Sequence, residues 1–207
     1  MTPDGPFGPE SPWTVLGATA DALRGAMSHF PTGVSVVTSG RGERAEGMTA
    51  NAVISVSLNP LLFLVSVHVD ARLNSRIREE NAFAVNLLAD DQEGLSRLFS
   101  SPERSSGLPA VNSLGGGYGT VDAPLAAGAI AAIECELQEV YPAGDHALFL
   151  GAVVEVRTGD TRKGPLVFHE GGYPTLNAGP KPEETGAFMD SVRGFDARAS
   201  RFRDRRR

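Results

Sequence analysis

The sequence lacks the residues on which several large classes of protein depend. Cys135 is the only cysteine among the 207 residues, so no disulfide can form within the chain and a cysteine-rich metal site is excluded. This cysteine usage favours a reducing compartment, and we expect a cytoplasmic protein. Residues 1–12 have neither the basic start nor the apolar block of a signal peptide. The longest apolar run, residues 61–69, is too short to span a bilayer.

Motifs for nucleoside triphosphates, dinucleotides and serine hydrolysis are also missing. The glycines at 115–117 are not followed by Gly-Lys-Ser/Thr, so they do not form a Walker-type phosphate loop. No Gly-x-Gly-x-x-Gly opens a helix after a strand, which argues against a Rossmann site. Asp145 and His146 are adjacent, but no Gly-x-Ser-x-Gly accompanies them to complete a catalytic triad. The other histidines lack zinc-ligand spacing: His29, His68 and His169.

The charge is unevenly distributed along the chain. The net charge is −6, yet residues 193–207 carry +5, so the rest of the chain carries −11. An acidic body argues against nucleic acid as the main partner. The Arg-rich end could tether a nucleic acid or a protein, and we favour a disordered or helical tail. We expect a disordered extension over 1–17, one domain over 18–176 and a Pro/Gly- then Arg-rich tail over 177–207.

The stretch Gly47–Pro60 separates cleanly into two faces when it is interpreted as one strand. One face is apolar and predicts core contact: Met48, Ala50, Ala52, Ile54, Val56 and Leu58. The other face surrounds Val53 with four short hydrogen-bonding side chains: Thr49, Asn51, Ser55 and Ser57. Such a face suits a flat polar ligand, for example the edge of a flavin ring. It is equally compatible with an ordinary solvated strand.

The remaining patterns predict a mainly β fold with a few short helices. Strands are predicted over residues 34–38, 61–69, 82–88, 128–141, 146–157 and 165–169. Helices are predicted over 18–28 and 75–80 and after a capping box at Asp90-x-x-Glu93, with Leu95, Leu98 and Phe99 on the inner face. Residues 100–124 are predicted to be loop. Many strands joined by tight turns indicate a closed antiparallel barrel rather than a parallel α/β sheet.

Four places carry candidate chemistry, each with a plainer alternative. Arg72, Asn74 and Ser75 lead into a predicted helix start and suit a phosphate, although Asn74 or Ser75 could simply cap that helix. His146 begins a strand directly after a turn, where it could bind or protonate a ligand or lie in solvent. Tyr173 could stack on a ligand or pack at the core edge. Cys135 lies mid-strand among apolar neighbours, which favours burial over a nucleophilic role.

Five short stretches follow one another in a recognisable order. They are FPTGV (30–34), GMTAN (47–51), SVSLNPL (55–61), FAVNLL (83–88) with Gln92, Leu95, Ser96 and Phe99, and GDH (144–146) with Leu148 and Gly151. Their order and rough spacing, from about Ala22 to Tyr173, resemble the short-chain flavin reductase family. Members are reductase components of two-component flavin-dependent monooxygenases. Two features depart from many relatives. Ala52 stands where many have a polar residue after the Asn, which costs at most one hydrogen bond to flavin, about 0.5–1.5 kcal/mol. Asn59-Pro60 stands where many have a double proline.

The resemblance implies an antiparallel, FMN-binding split β-barrel that forms a homodimer. It implies hydride transfer from NADH or NADPH to FMN, with FAD as a possible flavin, and delivery of the reduced flavin to a partner oxygenase. The implied wall of the flavin ring and ribityl chain is Thr49, Ala50, Asn51, Ala52, Ser55, Ser57, Ser66, Val67 and His68. The implied phosphate end is Arg72, Asn74, Ser75 and Ile77. His146 would sit by the nicotinamide as the catalytic residue, and Thr32, Gly33 and Tyr173 would lie close to the same cleft.

Two other functions on the same barrel stay open from the sequence. One is a non-enzymatic flavin-binding or flavin-carrying protein. The other is a pyridoxamine-phosphate-oxidase-like enzyme that uses bound FMN, although the barrel region shows no Arg/Lys cluster for a substrate phosphate. A haem-binding relative is disfavoured, and only His68 and His146 leave room for it. No membrane or nucleic-acid partner is expected.

Overall fold

The structure is a computed structural model that describes residues 14–160 and 162–176. The predicted tail at 177–207 and most of the predicted N-terminal extension lie outside the described residues, so both stay predictions. No helix in the described part of the chain combines the length and the apolar character needed to cross a bilayer.

The described residues form four α-helices and eleven strands. The helices are α1 (Ala20–Ser28), α2 (Arg72–Glu80), α3 (Glu93–Ser100) and α4 (Gly107–Leu114). The strands are β1 (Thr32–Gly33), β2 (Ser35–Ser39), β3 (Glu46–Ala50), β4 (Val53–Leu58), β5 (Leu61–His68), β6 (Ala82–Leu87), β7 (Gly115–Tyr118), β8 (Pro124–Ala126), β9 (Ala131–Ala143), β10 (His146–Thr158) and β11 (Val167–Phe168). A 3-10 turn, Gly42–Arg44, precedes β3.

Seven strands build one antiparallel sheet in the order β3-β2-β6-β9-β10-β5-β4. The longest pair, β9 and β10, is a hairpin whose two-residue turn places Gly144 at φ +66, a conformation that glycine adopts without steric cost. Two small sheets, β1 with β11 and β7 with β8, flank the large one. The predicted antiparallel β architecture is confirmed, and β2 and β3 pair as an antiparallel hairpin.

The single strand predicted over Gly47–Pro60 is two strands, and this part of the prediction is wrong. β3 pairs with β2 at one edge of the sheet, whereas β4 pairs with β5 at the other edge. Only Asn51 and Ala52 separate them, so the two edges lie within about 11 Å of each other at this point. The sheet therefore curls like a barrel, but β3 and β4 do not pair with each other. The barrel is split rather than closed.

The predicted polar face of this stretch is also interrupted. Ser55 lies opposite Phe63 and Ser57 lies opposite Leu62, with a β-bulge between the two serines. Because Phe63 and Leu62 are neighbours on β5, they point to opposite faces, and so do the serines opposite them. A bulge inserts one extra residue and so shifts the alternation of the side chains by one position. Nothing in the local composition predicts a bulge here.

Two apolar clusters stabilise the fold. One fills the curled sheet and includes Val65, Phe83, Cys135 and Phe149, all fully buried. Burial confirms the interpretation of Cys135, and it raises the pKa of this thiol to about 12. The second cluster lies beneath α3 and α4 around Phe99. The expected core face of β4 is not in either cluster: Ile54, Val56 and Leu58 are exposed, whereas Val53 of the same strand packs against the first cluster.

Two helix predictions also need correction. α2 starts at Arg72, three residues earlier than predicted, and its N-cap Ala71 makes no side-chain hydrogen bond, so neither Asn74 nor Ser75 caps it. The capping box before α3 does not form either. Gln92 is the N-cap, and the Asp90 carboxylate instead accepts a hydrogen bond from the Gly164 amide. Leu98 is exposed rather than on the inner face, and the predicted loop over 100–124 contains α4 and β7.

Candidate functional site

The candidate site begins where the chain crosses between the edges of the sheet. The Asn51 side chain is exposed and its Nδ2 donates to Thr32 Oγ1 at 3.3 Å, while the Ala52 carbonyl accepts from the Ser66 amide at 3.0 Å. These bonds attach the crossing to β1 on one side and to β5 on the other. The crossing therefore joins two parts of the implied flavin wall, residues 49–52 and Ser66 on β5. It also contacts Thr32 on β1, which was expected close to the same cleft.

A cleft of about 310 Å³ opens beside the end of β3, and we call it the Thr49 cleft. Its walls come from β3, α3 and the segment after β11, and the lining residues are Val34, Thr49, Ala50, Asn51, Ser96, Arg97, Ser100, Phe168, Gly171 and Tyr173. Thr49 Oγ1 donates to the Ser96 carbonyl at 2.7 Å, so its hydrogen is committed and the oxygen can only accept from a ligand. An acceptor in this position matches the N–H of a flavin ring or a ribityl hydroxyl.

Tyr173 closes the far wall of the Thr49 cleft. Its hydroxyl forms a 2.8 Å hydrogen bond with Ser96 Oγ, and its ring packs edge-to-face with Phe168 at 5.4 Å between centroids. The Arg97 guanidinium lies over the same ring at 5.1 Å, a cation–π contact. The ring is therefore held on three sides. Sequence reasoning did not assign Arg97 or Phe168 to the site, and the only signal was their closeness to Ser96 and Tyr173.

A second cleft, of about 370 Å³, adjoins the first. It is lined by residues 30–35 together with Asn51, Val53, Leu87, Leu88, Ile130, Pro165 and Leu166. Thr32 and Gly33 lie here. Val34 and Asn51 line both clefts, and Asn51 is the shared residue with a polar side chain that a ligand extending across the crossing would meet.

The two histidines of the predicted site face each other on neighbouring strands. His68, at the end of β5, is the register partner of His146, at the start of β10. Their rings are 5.2 Å apart between centroids and nearly perpendicular. His146 Nδ1 bonds to the Asp145 carboxylate at 2.7 Å, and this bond lowers the pKa of Asp145. The predicted position of His146 at a strand start is confirmed, and its pairing with His68 is a result of the structure alone.

The predicted phosphate end is largely occupied by internal contacts. Arg72 Nε lies 3.2 Å from both carboxylate oxygens of Glu46, and its Nη2 donates to the Arg104 carbonyl at 2.7 Å. Asn74 is buried, donates to the carbonyls of Val67 and His68, and accepts from Arg78 Nε. Its side chain fixes α2 to the end of β5, and its assignment to the phosphate end stays a prediction. Ser75 is exposed and stays a candidate.

Two further residues of the predicted site are core residues. The side chains of Val67 and Ile77 are fully buried in the cluster that fills the curled sheet. Any contact that they make with a ligand would run through the main chain, and their assignment to the site stays a prediction. Their sequence positions are close to ligand-facing residues, but alternation on β5 and helical periodicity on α2 turn them inward.

An apolar surface continues outward from the histidine pair. Ile54, Leu64 and Leu150 lie in register across β4, β5 and β10, and the next row holds Ser66 and Leu148. The row after that is His68 with His146. We call these rows the outer face. Ile54 is 58% exposed. The apolar surface around Ile54 therefore lies close to the polar surface that the two histidines form.

Comparison with known proteins identifies the family. Residues 27–177 match the family described as flavin reductase like domain, which spans most of the chain. The chain belongs to the flavin reductase family. The resemblance predicted from the five stretches is therefore confirmed.

Individual relatives cover nearly the same span. The NADH-dependent FMN reductase AsuE2 of Streptomyces nodosus subsp. asukaensis is 45% identical over 154 residues, which is 74% of this chain and 83% of the relative. An NADH-dependent FAD reductase of Streptomyces globisporus is 41% identical over 145 residues, 70% of this chain and 79% of the relative. The crystal structure of BorF, the flavin reductase component of a bacterial two-component tryptophan halogenase, superposes with a TM-score of 0.72 at 39% identity and covers 78% of this chain and 100% of BorF.

Proposed function

We propose that this flavin reductase family member is an NAD(P)H:flavin oxidoreductase that supplies reduced flavin to a separate oxygenase. The observation that carries the proposal is the family match over residues 27–177, with relatives named as NADH-dependent FMN and FAD reductases. The same span builds the crossing, both clefts and the histidine pair. BorF, which is named as one component of a two-component halogenase, supports a partner oxygenase for this chain.

The residues around the crossing fit a flavin. The Thr49 cleft offers a fixed acceptor at Thr49 Oγ1, and Asn51 keeps its carbonyl oxygen and one N–H beyond its bond to Thr32. The isoalloxazine edge carries carbonyls and ring nitrogens, so it needs both donors and acceptors. When bound, the two cofactors supply the redox chemistry, in which a hydride passes from nicotinamide to flavin. The chain contributes binding and orientation, and no nucleophilic side chain is required.

The histidine pair supports a place for the nicotinamide beside the flavin. His146 is held through Nδ1 by Asp145, so its ring is oriented and Nε2 is directed away from that bond. Of the remaining predicted flavin contacts, Ser55, Ser57 and Ser66 stay proposals. For the phosphate end, Ser75 and the still exposed part of Arg72 remain, together with the amides at the start of α2.

A homodimer is part of this proposal. The outer face exposes Ile54, and Val56, Leu58 and Leu61 are exposed along the same edge. A second copy of the chain that covers this edge would bury them and would enclose the neighbouring histidine pair. A cytoplasmic location also stays a prediction, based on the single cysteine.

Oxidation of NADH and of NADPH by the purified protein, followed with FMN, FAD or riboflavin present, tests the proposed function. Consumption of nucleotide that depends on both protein and flavin is expected. A protein that binds flavin and consumes no nucleotide would instead favour the flavin-carrier alternative.

A further inference from the structure

The hydrogen bonds around the two histidines fix which ring nitrogen carries the proton. The Asp70 amide donates to His68 Nδ1 at 3.2 Å, so this nitrogen accepts and the proton of a neutral His68 lies on Nε2. The Asp145 carboxylate can only accept, so the proton of a neutral His146 lies on Nδ1 and Nε2 carries a lone pair. Two neighbouring imidazoles of one sheet therefore hold opposite tautomers.

Opposite tautomers make the pair complementary to an amide. His68 presents a donor, Nε2–H, and His146 presents an acceptor, Nε2, from rings whose centroids are 5.2 Å apart. Among the described residues, neither Nε2 atom takes part in a hydrogen bond, and the side chains are 46% and 42% exposed. An amide edge carries a carbonyl oxygen and an N–H side by side, which is the matching pattern.

We propose that His68 and His146 together bind the amide edge of one substrate, with His68 donating to its carbonyl and His146 accepting from its N–H. The inference rests on the proposed function, because that function supplies two molecules with such an edge. One is the carboxamide of the nicotinamide, and the other is the ring imide of the flavin. His68 thereby becomes a binding residue through its side chain, whichever of the two molecules it meets.

The two sources are distinguished by analogues that keep the carbonyl and lose the N–H. In the nucleotide arm, binding of NAD⁺ is compared with binding of its 3-acetylpyridine analogue, in which a methyl group replaces the amide nitrogen. In the flavin arm, FMN is compared with N3-methyl-FMN. Oxidised nucleotides are used with flavin-loaded protein, so that calorimetry reports affinity without turnover.

The proposal predicts a specific pattern of dissociation constants in one of the two arms, the one whose ligand the histidine pair binds. In the unmodified protein the analogue should bind about 2- to 10-fold more weakly than the parent, the value of one hydrogen bond. His146→Phe keeps a ring but removes the acceptor, so this ratio should fall to about 1. His68→Phe removes the donor to the carbonyl that both ligands retain, so both should weaken by about 2- to 10-fold while their ratio persists. His68→Gln, which restores an N–H donor, should recover part of that loss.

His29→Phe serves as the matched control, because His29 is an exposed histidine paired with Glu170 outside the pair. It should leave both ratios unchanged. A ratio in both arms that His146→Phe does not alter would overturn the proposal, and so would His68→Phe with unchanged affinities. An unmodified protein that shows these ratios but does not oxidise NADH with any flavin would contradict the proposed function and leave the amide-binding pair standing.

Discussion

The bond between Ser96 and Tyr173 allows a quantitative test of how the Thr49 cleft is built. The two hydroxyls are 2.8 Å apart, and Ser96 is fully buried while Tyr173 is half-buried. Tyr173→Phe removes one partner and leaves the buried Ser96 hydroxyl without it, which we expect to lower the free energy of unfolding by about 1–2 kcal/mol. Ser96→Ala leaves a tyrosine hydroxyl that water can reach, so its cost should be smaller, about 0.5–1 kcal/mol.

The two substitutions should not be additive, because they remove the same bond. We expect the double variant to recover about 0.5–1.5 kcal/mol relative to the sum of the single variants. Urea unfolding of all four proteins at one fixed concentration measures this coupling, since the fixed concentration keeps any self-association constant. A coupling below about 0.3 kcal/mol would mean that the two hydroxyls do not interact in solution.

The same variants separate the ring of Tyr173 from its hydroxyl in flavin binding. Phenylalanine keeps the contacts with Phe168 and with the Arg97 guanidinium, so Tyr173→Phe should change the FMN dissociation constant by less than about 2-fold. Tyr173→Ala removes a wall of the cleft and should weaken FMN by about 10-fold or more. Flavin fluorescence quenching measures both constants. Equal effects of Phe and Ala would refute the reasoning that the ring forms the wall.

Three further outcomes follow from burial, exposure and geometry. The Cys135 thiol is fully buried, and burial raises its pKa to about 12. It should therefore not react with a thiol reagent at about pH 8 until the protein is unfolded in urea. Labelling of the folded protein would contradict its placement. Ile54→Asp should convert a dimer to monomer in sedimentation velocity, whereas Val156→Asp, on the exposed far end of β10, should not; a dimer in both variants would exclude the outer face as the interface. His146→Ala should slow reduction by NADH in stopped-flow experiments, while FMN affinity falls by no more than the value of one hydrogen bond, about 2- to 10-fold. A collapse of FMN binding would show that β10 is wrongly assigned to the nicotinamide.

The sequence predicted the elements of this fold better than their arrangement. Local alternation and a Gly-Asp turn predicted the strand that became β5, the two long strands β9 and β10, and the position of His146 at a strand start. The break at Asn51–Ala52 does not, because the alternation of polar and apolar residues continues in phase across it. Nothing local distinguishes one long strand from two that pair at opposite edges of a sheet.

For the candidate site, too, individual residues were predicted better than the way they are brought together. Thr49, Asn51 and Tyr173 were predicted, and the structure brings them together at one cleft. The pairing of His68 with His146 depends on the register between β5 and β10, which joins residues far apart in the chain. The internal contacts of Asn74 were not predicted, because an Asn near a helix start is also a typical cap or ligand. Only the contacts of its amide show that it holds the helix to the sheet.

The central claim is that the protein carries reducing equivalents from a pyridine nucleotide to a flavin. A steady-state matrix of NADH and NADPH against FMN, FAD and riboflavin, read as the loss of reduced-nucleotide absorbance, tests it most directly. We predict flavin-dependent oxidation of at least one nucleotide, with one nucleotide and one flavin preferred. Rates no faster than those without protein in all six combinations would contradict the account.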